Sequence, residues 1–358
     1  MNNKINYHNK KSSLRMKDKK NKLKILIRTA GGRERKQELG LGHVYRTLNL
    51  AEEMKPNKIH FLLEDFGGAK KIIKQRGFKN IQTLGKKINT KNDIKITQDY
   101  LKKEKIDLMI VDRYHVKINY LKKLKEFVKL VVISDLDNIE YPADLIINGF
   151  IGFRNQIKVN SYNSKCLLGP KYQILDKRFS LKNTKKRKNY DLLVTVGGYD
   201  EKNTIDEILK CIQPYMPKLK TKVIVGPVGK KSKLSINLEK KYSTNLKIIK
   251  FSKNMKREMS DVKFGICGGG ITSYEFASMK KPFGIICVEK HQVKTAQQWE
   301  KKGYALNFGV MTKSSKNKIN EFVQKIVKND FPVSIKNKKI VDGKGANRVI
   351  QEILKIQQ

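Results

Sequence analysis

Short apolar runs alternate with segments of helical period along nearly the whole of this chain, and the series occurs twice. In the first, strand candidates fall at 23–27, 58–63, 81–84, 107–111, 130–134 and 144–147, and helices fit between most of them. Alternation of this kind requires a parallel sheet with right-handed crossovers and helices on both faces. The span 176–190 is charged, carries the run Lys182-Asn183-Thr184-Lys185-Lys186-Arg187-Lys188, and reads as a linker. A second series follows, with strands at 191–196, 221–226, 247–249, 263–267 and 283–288. Its helices are expected at 204–212, in the 230s, and at 254–260, 273–279 and 295–302. With 358 residues the chain exceeds what one core usually accommodates. The expected fold class is α/β: two doubly wound, Rossmann-like domains (23–175 and 191–340) facing each other across a cleft. A basic tail over 1–22 and a helix within 341–358 complete the division. No repeat of solenoid length is present.

Composition narrows the partners. The formal charge of +45 comes mostly from lysines scattered along helices, which reads first as solvated surface and second as a footprint for nucleic acid or an anionic membrane. No RNA- or DNA-binding motif supports the nucleic-acid reading, and aromatics are not interleaved with basic clusters as in a stacking platform. No nucleic acid is expected, and peripheral contact with anionic lipid is the partner class the charge allows. Cys166, Cys211, Cys267 and Cys287 lie far apart with no C-x-x-C pair, so neither zinc nor a disulfide framework is suggested. No apolar window is long enough to cross a bilayer, and the N-terminus lacks the apolar region of a signal peptide, so a cytoplasmic protein is expected.

The best candidate for chemistry is the turn Gly40-Leu41-Gly42-His43, which follows the first strand and opens a helix that includes Arg46. Glycine lets the backbone and a bulky ligand come close, and first-turn N–H groups favour negative charge. A histidine there can take a proton from water or an alcohol near neutral pH; the bland alternative is a capping or core histidine. Ligands of open parallel sheets collect at the carboxyl ends of strands, which puts Asp112-Arg113-Tyr114 at the same edge.

The second half carries two further strand–glycine–helix junctions, Gly197-Gly198-Tyr199-Asp200 and Gly268-Gly269-Gly270-Ile271-Thr272-Ser273. Their amides and helix ends suit a phosphate or diphosphate. Neither has the Lys-Ser/Thr ending of a P-loop nor an acidic residue at dinucleotide-fold spacing. Glu275, placed in the first turn of the following helix, either accepts hydrogen bonds from vicinal ribose hydroxyls or complements the helix dipole. Thr272 and Ser273 read as phosphate contacts or as caps. Phe251 and Met255 either flank a flat base or belong to the core.

These stretches together resemble a known family. Ile27-Arg28-Thr29, GLGHVYRTLNLAEEM from Gly40, DLMIVDRY from Asp107, LLGPKYQIL from Leu167, VGGYDEKN from Val196, GGGITSYEFASMKKP from Gly268 and DGKGANRVI from Asp342 occur in the order seen in the UDP-2,4-diacetamido-2,4,6-trideoxy-beta-L-altropyranose hydrolases of the pseudaminic-acid pathway. That family is similar to the murein-precursor N-acetylglucosaminyltransferase of GT-B fold. The resemblance implies hydrolysis of the anomeric bond of a UDP-linked diacetamido sugar, with no cofactor and no metal. It implies that His43 is the general base, that Tyr114 lies near the sugar, and that Gly269, Gly270 and Glu275 hold UDP with Phe251 and Met255 near the uracil. Gly40, Gly42, Arg46, Asp112, Gly197, Gly198, Thr272, Ser273 and Gln292 complete the expected nucleotide- and substrate-binding set.

Three departures from the family pattern stand out. His291-Gln292 replaces an Asn-Gln pair, so His291 joins the catalytic candidates as a donor, a second base, or the mark of a different sugar. Ile271 and Tyr199 stand where a hydroxyl and a small residue are usual. Residues 31–39 lengthen the loop before His43 with Arg33, Glu34, Arg35 and Lys36. The runner-up reading is a GT-B glycosyltransferase in which His43 deprotonates a sugar or lipid-linked hydroxyl. A non-catalytic nucleic-acid-binding protein is the third.

Overall fold

The computed structural model describes residues 22–32, 40–85, 88–182, 189–198, 200, 202–227, 229–330 and 340–357. The expectations for the basic tail up to residue 21, for 33–39, for 183–188 and for Tyr199 lie outside the described residues.

The first sheet comprises β1 (Lys24–Gly31), β2 (Lys58–Asp65), β3 (Asn80–Leu84), β4 (Leu108–Asp112), β5 (Lys129–Ile133), β6 (Leu145–Asn148), β7 (Gln156–Val159) and β8 (Lys165–Leu168). Its order is β3-β2-β1-β4-β5-β6-β8-β7. The second comprises β9 (Tyr190–Thr195), β10 (Thr221–Ile224), β11 (Leu246–Ile249), β12 (Val262–Gly268), β13 (Phe283–Cys287) and β14 (Leu306–Val310), in the order β11-β10-β9-β12-β13-β14. Both contain the doubly wound arrangement, in which the first strand sits at the centre and the chain reverses direction beside it. The switch points lie between β1 and β4, where Thr29 pairs with Asp112, and between β9 and β12, where Thr195 pairs with Cys267.

Helices α1 (Gly42–Glu53), α2 (Ala69–Gln75), α3 (Thr90–Glu104) and α4 (Ile118–Lys125) cover the first sheet. The second is covered by α5 (Thr204–Ile212), α6 (Lys233–Lys241), α7 (Met255–Ser260), α8 (Ile271–Ser278), α9 (Gln292–Lys301) and α10 (Lys313–Val327). Because each sheet is buried on both sides, its central strands are buried along their length and mostly apolar, with no alternation. The last helix, α11 (Gly345–Lys355), returns to the first domain, where Ala346, Val349 and Ile353 join the core of Val44, Leu48 and Ile27.

Sequence periodicity does not reveal three features of this fold. The β7–β8 pair is an antiparallel hairpin at the edge of an otherwise parallel sheet, and β7 is exposed along its length, so no burial pattern marks it. Strand β14 and helix α10 extend the second sheet, α10 burying Ile319, Phe322, Val323 and Ile326 behind a Thr312/Ser315 capping box. Helix α8 begins at Ile271 and not at 273, and α9 at Gln292 and not at 295. Among the described residues no helix is long and apolar enough to cross a membrane.

The two sheets meet through specific contacts. Ile151 N–H donates to the Tyr274 hydroxyl at 3.0 Å, Lys302 Nζ donates to the Ile151 carbonyl at 2.5 Å, and Lys294 pairs with Asp137 at 2.7 Å. Phe150, Ile151, Leu175 and Phe179 belong to the same core as Trp299 and Phe276, so the crossing segments are packed into the second domain.

Candidate active site

The carboxyl edges of both sheets open onto one cleft of about 980 Å3. His43, Arg46, Arg113 and Tyr114 line it from the first domain, and Gly269, Gly270, Ile271, Tyr274 and His291 from the second. His43 is the second residue of α1, whose N-cap, Leu41, offers no side-chain acceptor. Its ring is largely buried, at 6% exposure, with Nδ1 2.6 Å from Asp112 Oδ1 at the end of β4. Asp112 is fully buried and accepts from Arg46 Nε at 2.8 Å and from an Arg46 terminal nitrogen at 2.6 Å. Arg46 in turn donates to both oxygens of Asp135, at 2.5 and 3.1 Å.

These bonds fix the tautomer. Burial works to raise the Asp112 pKa, but Arg46 and His43 override it and hold the carboxyl below its usual range. Asp112 is therefore an acceptor, the proton resides on Nδ1, and the lone pair on Nε2 is left for an incoming proton. Asp135 is half open to the cleft; partial desolvation there opposes its ionisation, yet Arg46 brings it down to about 2, so it is a carboxylate in all working conditions. The Tyr114 ring meets the His43 ring edge-on at 4.3 Å and lies 6.0 Å from His291 across the cleft. Burial, reinforced by Asp135, pushes Tyr114 up to about 12, which keeps its hydroxyl a donor. His43, Asp112 and Asp135 offer ligand atoms within 4.8 Å of one another, a spacing that would suit a metal ion. The Arg46 guanidinium already bonds both carboxylates, however, and a cation there would have to displace it.

Several expected contacts have a different place in the structure. Asp112 does not reach the cleft and instead backs His43, while Arg46 spends its donors on Asp112 and Asp135. Ser273 points into the core, where its hydroxyl accepts from Trp299 Nε1 at 3.1 Å and donates to the Gly270 carbonyl. The Gly269 N–H is taken by Gln292 Oε1 at 3.1 Å, which also accepts from Val288 N–H at 3.0 Å. Gln292 thus pins the glycine loop to the end of β13, and the amides left at the mouth are those of the first turn of α8. Glu275 is the fifth residue of α8, in its second turn, which weakens the helix-dipole reading. Met255 packs partly against the second core, whereas Phe251 is 41% exposed and presents its ring. Gly198 faces Leu41 of the first domain, a Cβ there falling 3.6 Å from it, and Gly197 needs its φ of +115° for the turn.

Glycine placement separates fold from ligand. A Cβ on Gly268 would lie 2.6 Å from the Val196 carbonyl, so packing alone demands glycine there. Gly40, Gly42 and Gly270 have nothing within 4 Å of a Cβ and no positive φ, yet all three line the cleft. The fold does not require them, and the open space above them suits a close ligand.

Glu275 is half-buried near Asp176 and Arg178, and among the described residues no hydrogen-bond partner of its carboxylate is found. Burial raises its pKa to about 8, with Asp176 adding to the shift and Arg178 opposing it. Asp135, which lines the cleft just past the end of β5, escaped the sequence reading; its bond to Arg46 spans 89 positions.

Comparisons with known proteins agree with this fold. Residues 191–353 match the glycosyltransferase family 28 C-terminal domain. Over 93% of this chain and 99% of the other, the structure superposes on Acinetobacter baumannii MurG with a TM-score of 0.62 at 14% identity. The fold is GT-B. A UDP co-structure of S. aureus MnaA shares the GT-B-like layout at a TM-score of 0.59 and 10% identity, covering 92% of this chain and 96% of that one. Among curated relatives, an uncharacterised protein of Methanocaldococcus jannaschii is 29% identical over 74% of this chain, which spans about half (55%) of that protein's length. The spore coat polysaccharide biosynthesis protein SpsG of Bacillus subtilis is 26% identical over 87% of this GT-B chain and 93% of its own. The UDP-2,4-diacetamido-2,4,6-trideoxy-beta-L-altropyranose hydrolase of Campylobacter jejuni is 23% identical over 80% of this chain and 99% of its own.

Proposed function

We propose that this chain hydrolyses the anomeric bond of a UDP-linked diacetamido-trideoxy sugar, releasing UDP and free sugar. The observation that carries the reading is the His43–Asp112 pair, whose ring lines the same cleft as the glycine loop at the start of α8. The diphosphate sits against the first-turn amides of α8, the ribose hydroxyls on Glu275, and the uracil near Phe251 and Met255. His43 Nε2 takes a proton from water as the water oxygen bonds to the anomeric carbon. The bond from that carbon to the β-phosphate oxygen breaks, and its electron pair leaves with UDP. The imidazolium is stabilised by Asp112, and UDP is a good enough leaving group that no second carboxylic acid has to protonate it. Tyr114 and His291, whose rings adjoin, stand as donors on one side of the sugar. The hydrolase activity in the name of the Campylobacter relative supports water as the nucleophile.

The family 28 match and the polysaccharide role in the Bacillus relative's name favour a second reading, transfer to a sugar or lipid hydroxyl. UDP release from the diacetamido donor, followed in water alone and with candidate acceptors, tests the two. Release at full rate without acceptor is expected; release only with an acceptor overturns hydrolysis in favour of transfer.

Glu275 gives a separate prediction. Its folded pKa of about 8 lies above the ordinary carboxyl value, so the folded state binds the extra proton and wild-type stability falls as pH rises between the two. Glu275→Gln should therefore raise the Tm progressively from about pH 5 to pH 8 relative to wild type, then level off. Glu275→Ala should weaken UDP binding about tenfold in calorimetry, the loss of two hydrogen bonds to the ribose hydroxyls. An unchanged UDP affinity would remove the ribose role.

A further inference from the structure

Beneath the cleft wall, four charged side chains from four separate elements converge. Arg28, fully buried in the middle of β1, donates to Asp93 of α3 at 2.9 and 3.3 Å and to Glu64 of β2 at 3.1 Å. Arg113, in the loop after β4, donates to the same Asp93 oxygen at 2.5 Å and lies 3.5 Å from Glu64. Arg28 and Asp93 are sealed from solvent, at 0% and 2% exposure. Arg113 keeps 19% of its side chain open and lines the cleft one residue before Tyr114.

Such a network contributes little to stability, because desolvating its charges cancels most of what their attraction returns. Its positional effect is large: Arg28 locks the two carboxylates, and they lock Arg113, the guanidinium of this network that faces the cleft. The surroundings define what that guanidinium can read. On the first-domain side three arginines (28, 46 and 113) face four carboxylates (64, 93, 112 and 135), so no net positive charge awaits a sugar carboxylate. Ala30, which pairs in register with Glu64, lines the cleft with Phe66 and Val116 and supplies an apolar wall at the same strand ends. A rigid N–H donor beside an apolar wall, with its charge already balanced, matches a neutral carbonyl that carries a methyl group.

We propose that Arg113 is a specificity-determining residue that hydrogen-bonds the carbonyl of an N-acyl substituent on the sugar, with Arg28, Glu64 and Asp93 as its positioning residues. The inference rests on the UDP-sugar reading above and adds the subsite that selects the sugar. Its test is a binding cycle in the His43→Ala background, where turnover is suppressed. The probes are UDP, UDP-2,4-diacetamido-2,4,6-trideoxy-beta-L-altropyranose, and the two analogues in which a hydroxyl replaces one acetamido group. With Arg113 present, one analogue should bind about tenfold more weakly than the diacetamido donor, the value of a hydrogen bond to a charged group. In Arg113→Met the diacetamido donor should weaken by a similar factor and that difference should vanish, with UDP affinity unchanged. Arg113→Lys, which keeps the charge but not the fork, carries the same cycle should the methionine variant fold poorly. A preference between the donors that survives both substitutions, or the same weakening of UDP itself, overturns the role of Arg113. If UDP does not bind the parent protein at all, the UDP-sugar reading falls, and this subsite with it.

Discussion

Replacing His43 with alanine should lower kcat for UDP release by about a hundred- to ten-thousand-fold, the range a positioned base contributes. UDP affinity should stay within about twofold, because the proposed diphosphate contacts lie on the second domain and the ring is proposed to meet the substrate only at the water and the sugar. The loss falls on kcat and kcat/KM alike, since proton transfer is made only in the transition state. Folding should be little affected: the ring packs against Tyr114 and bonds Asp112, but Arg46 still satisfies both Asp112 oxygens. Steady-state kinetics and calorimetry on the same preparation check this. A variant that kept wild-type kcat would remove the imidazole from the mechanism, whatever the fold.

Much of this site is legible in the sequence because parallel sheets concentrate ligands at strand ends, and strand ends are marked locally. The turn from Gly40 to His43 and the residues Asp112 to Tyr114 each follow an apolar run, and the doubly wound order brings those two runs side by side as β1 and β4. The roles of the residues are less legible than their positions. Nothing near Asp112 in sequence says that it turns inward to His43, and nothing near Asp135 says that Arg46 reaches it. Both facts depend on α1 lying across the switch point. Ser273 and Gln292 show the same limit from the other side: each has the chemistry of a ligand contact, and each is used up within the protein, on Trp299 and on the glycine loop.

Elements escaped for equally specific reasons. The β7 strand has no buried face, so alternation carries no signal there. The apolar positions of α10, at 319, 322, 323 and 326, do have helical spacing, but they are interspersed with lysines that match the background of the whole chain. That α11 packs on the first domain cannot be read from its own amphipathic pattern, which says only that one face is covered.

Asp112→Asn tests the claim that His43 acts through a fixed tautomer. An asparagine has two ways to sit in this pocket, and both are poor. With its amide nitrogen toward His43, it donates to Nδ1, moves the ring proton to Nε2 and removes the base; it also turns an N–H toward the Arg46 nitrogen that Oδ1 accepts from at 2.6 Å. With its amide nitrogen toward Arg46 Nε, it opposes a donor that Oδ2 accepts from at 2.8 Å, and the imidazolium formed in the reaction loses its facing charge. The first orientation removes the base and the second leaves it uncompensated. We expect kcat to fall by roughly a hundred- to ten-thousand-fold, comparable to loss of a triad carboxylate. UDP affinity should again be preserved. Combining the two substitutions discriminates further: if Asp112 works only through His43, the double variant is no slower than His43→Ala, and additive losses would give Asp112 a separate function in the cleft.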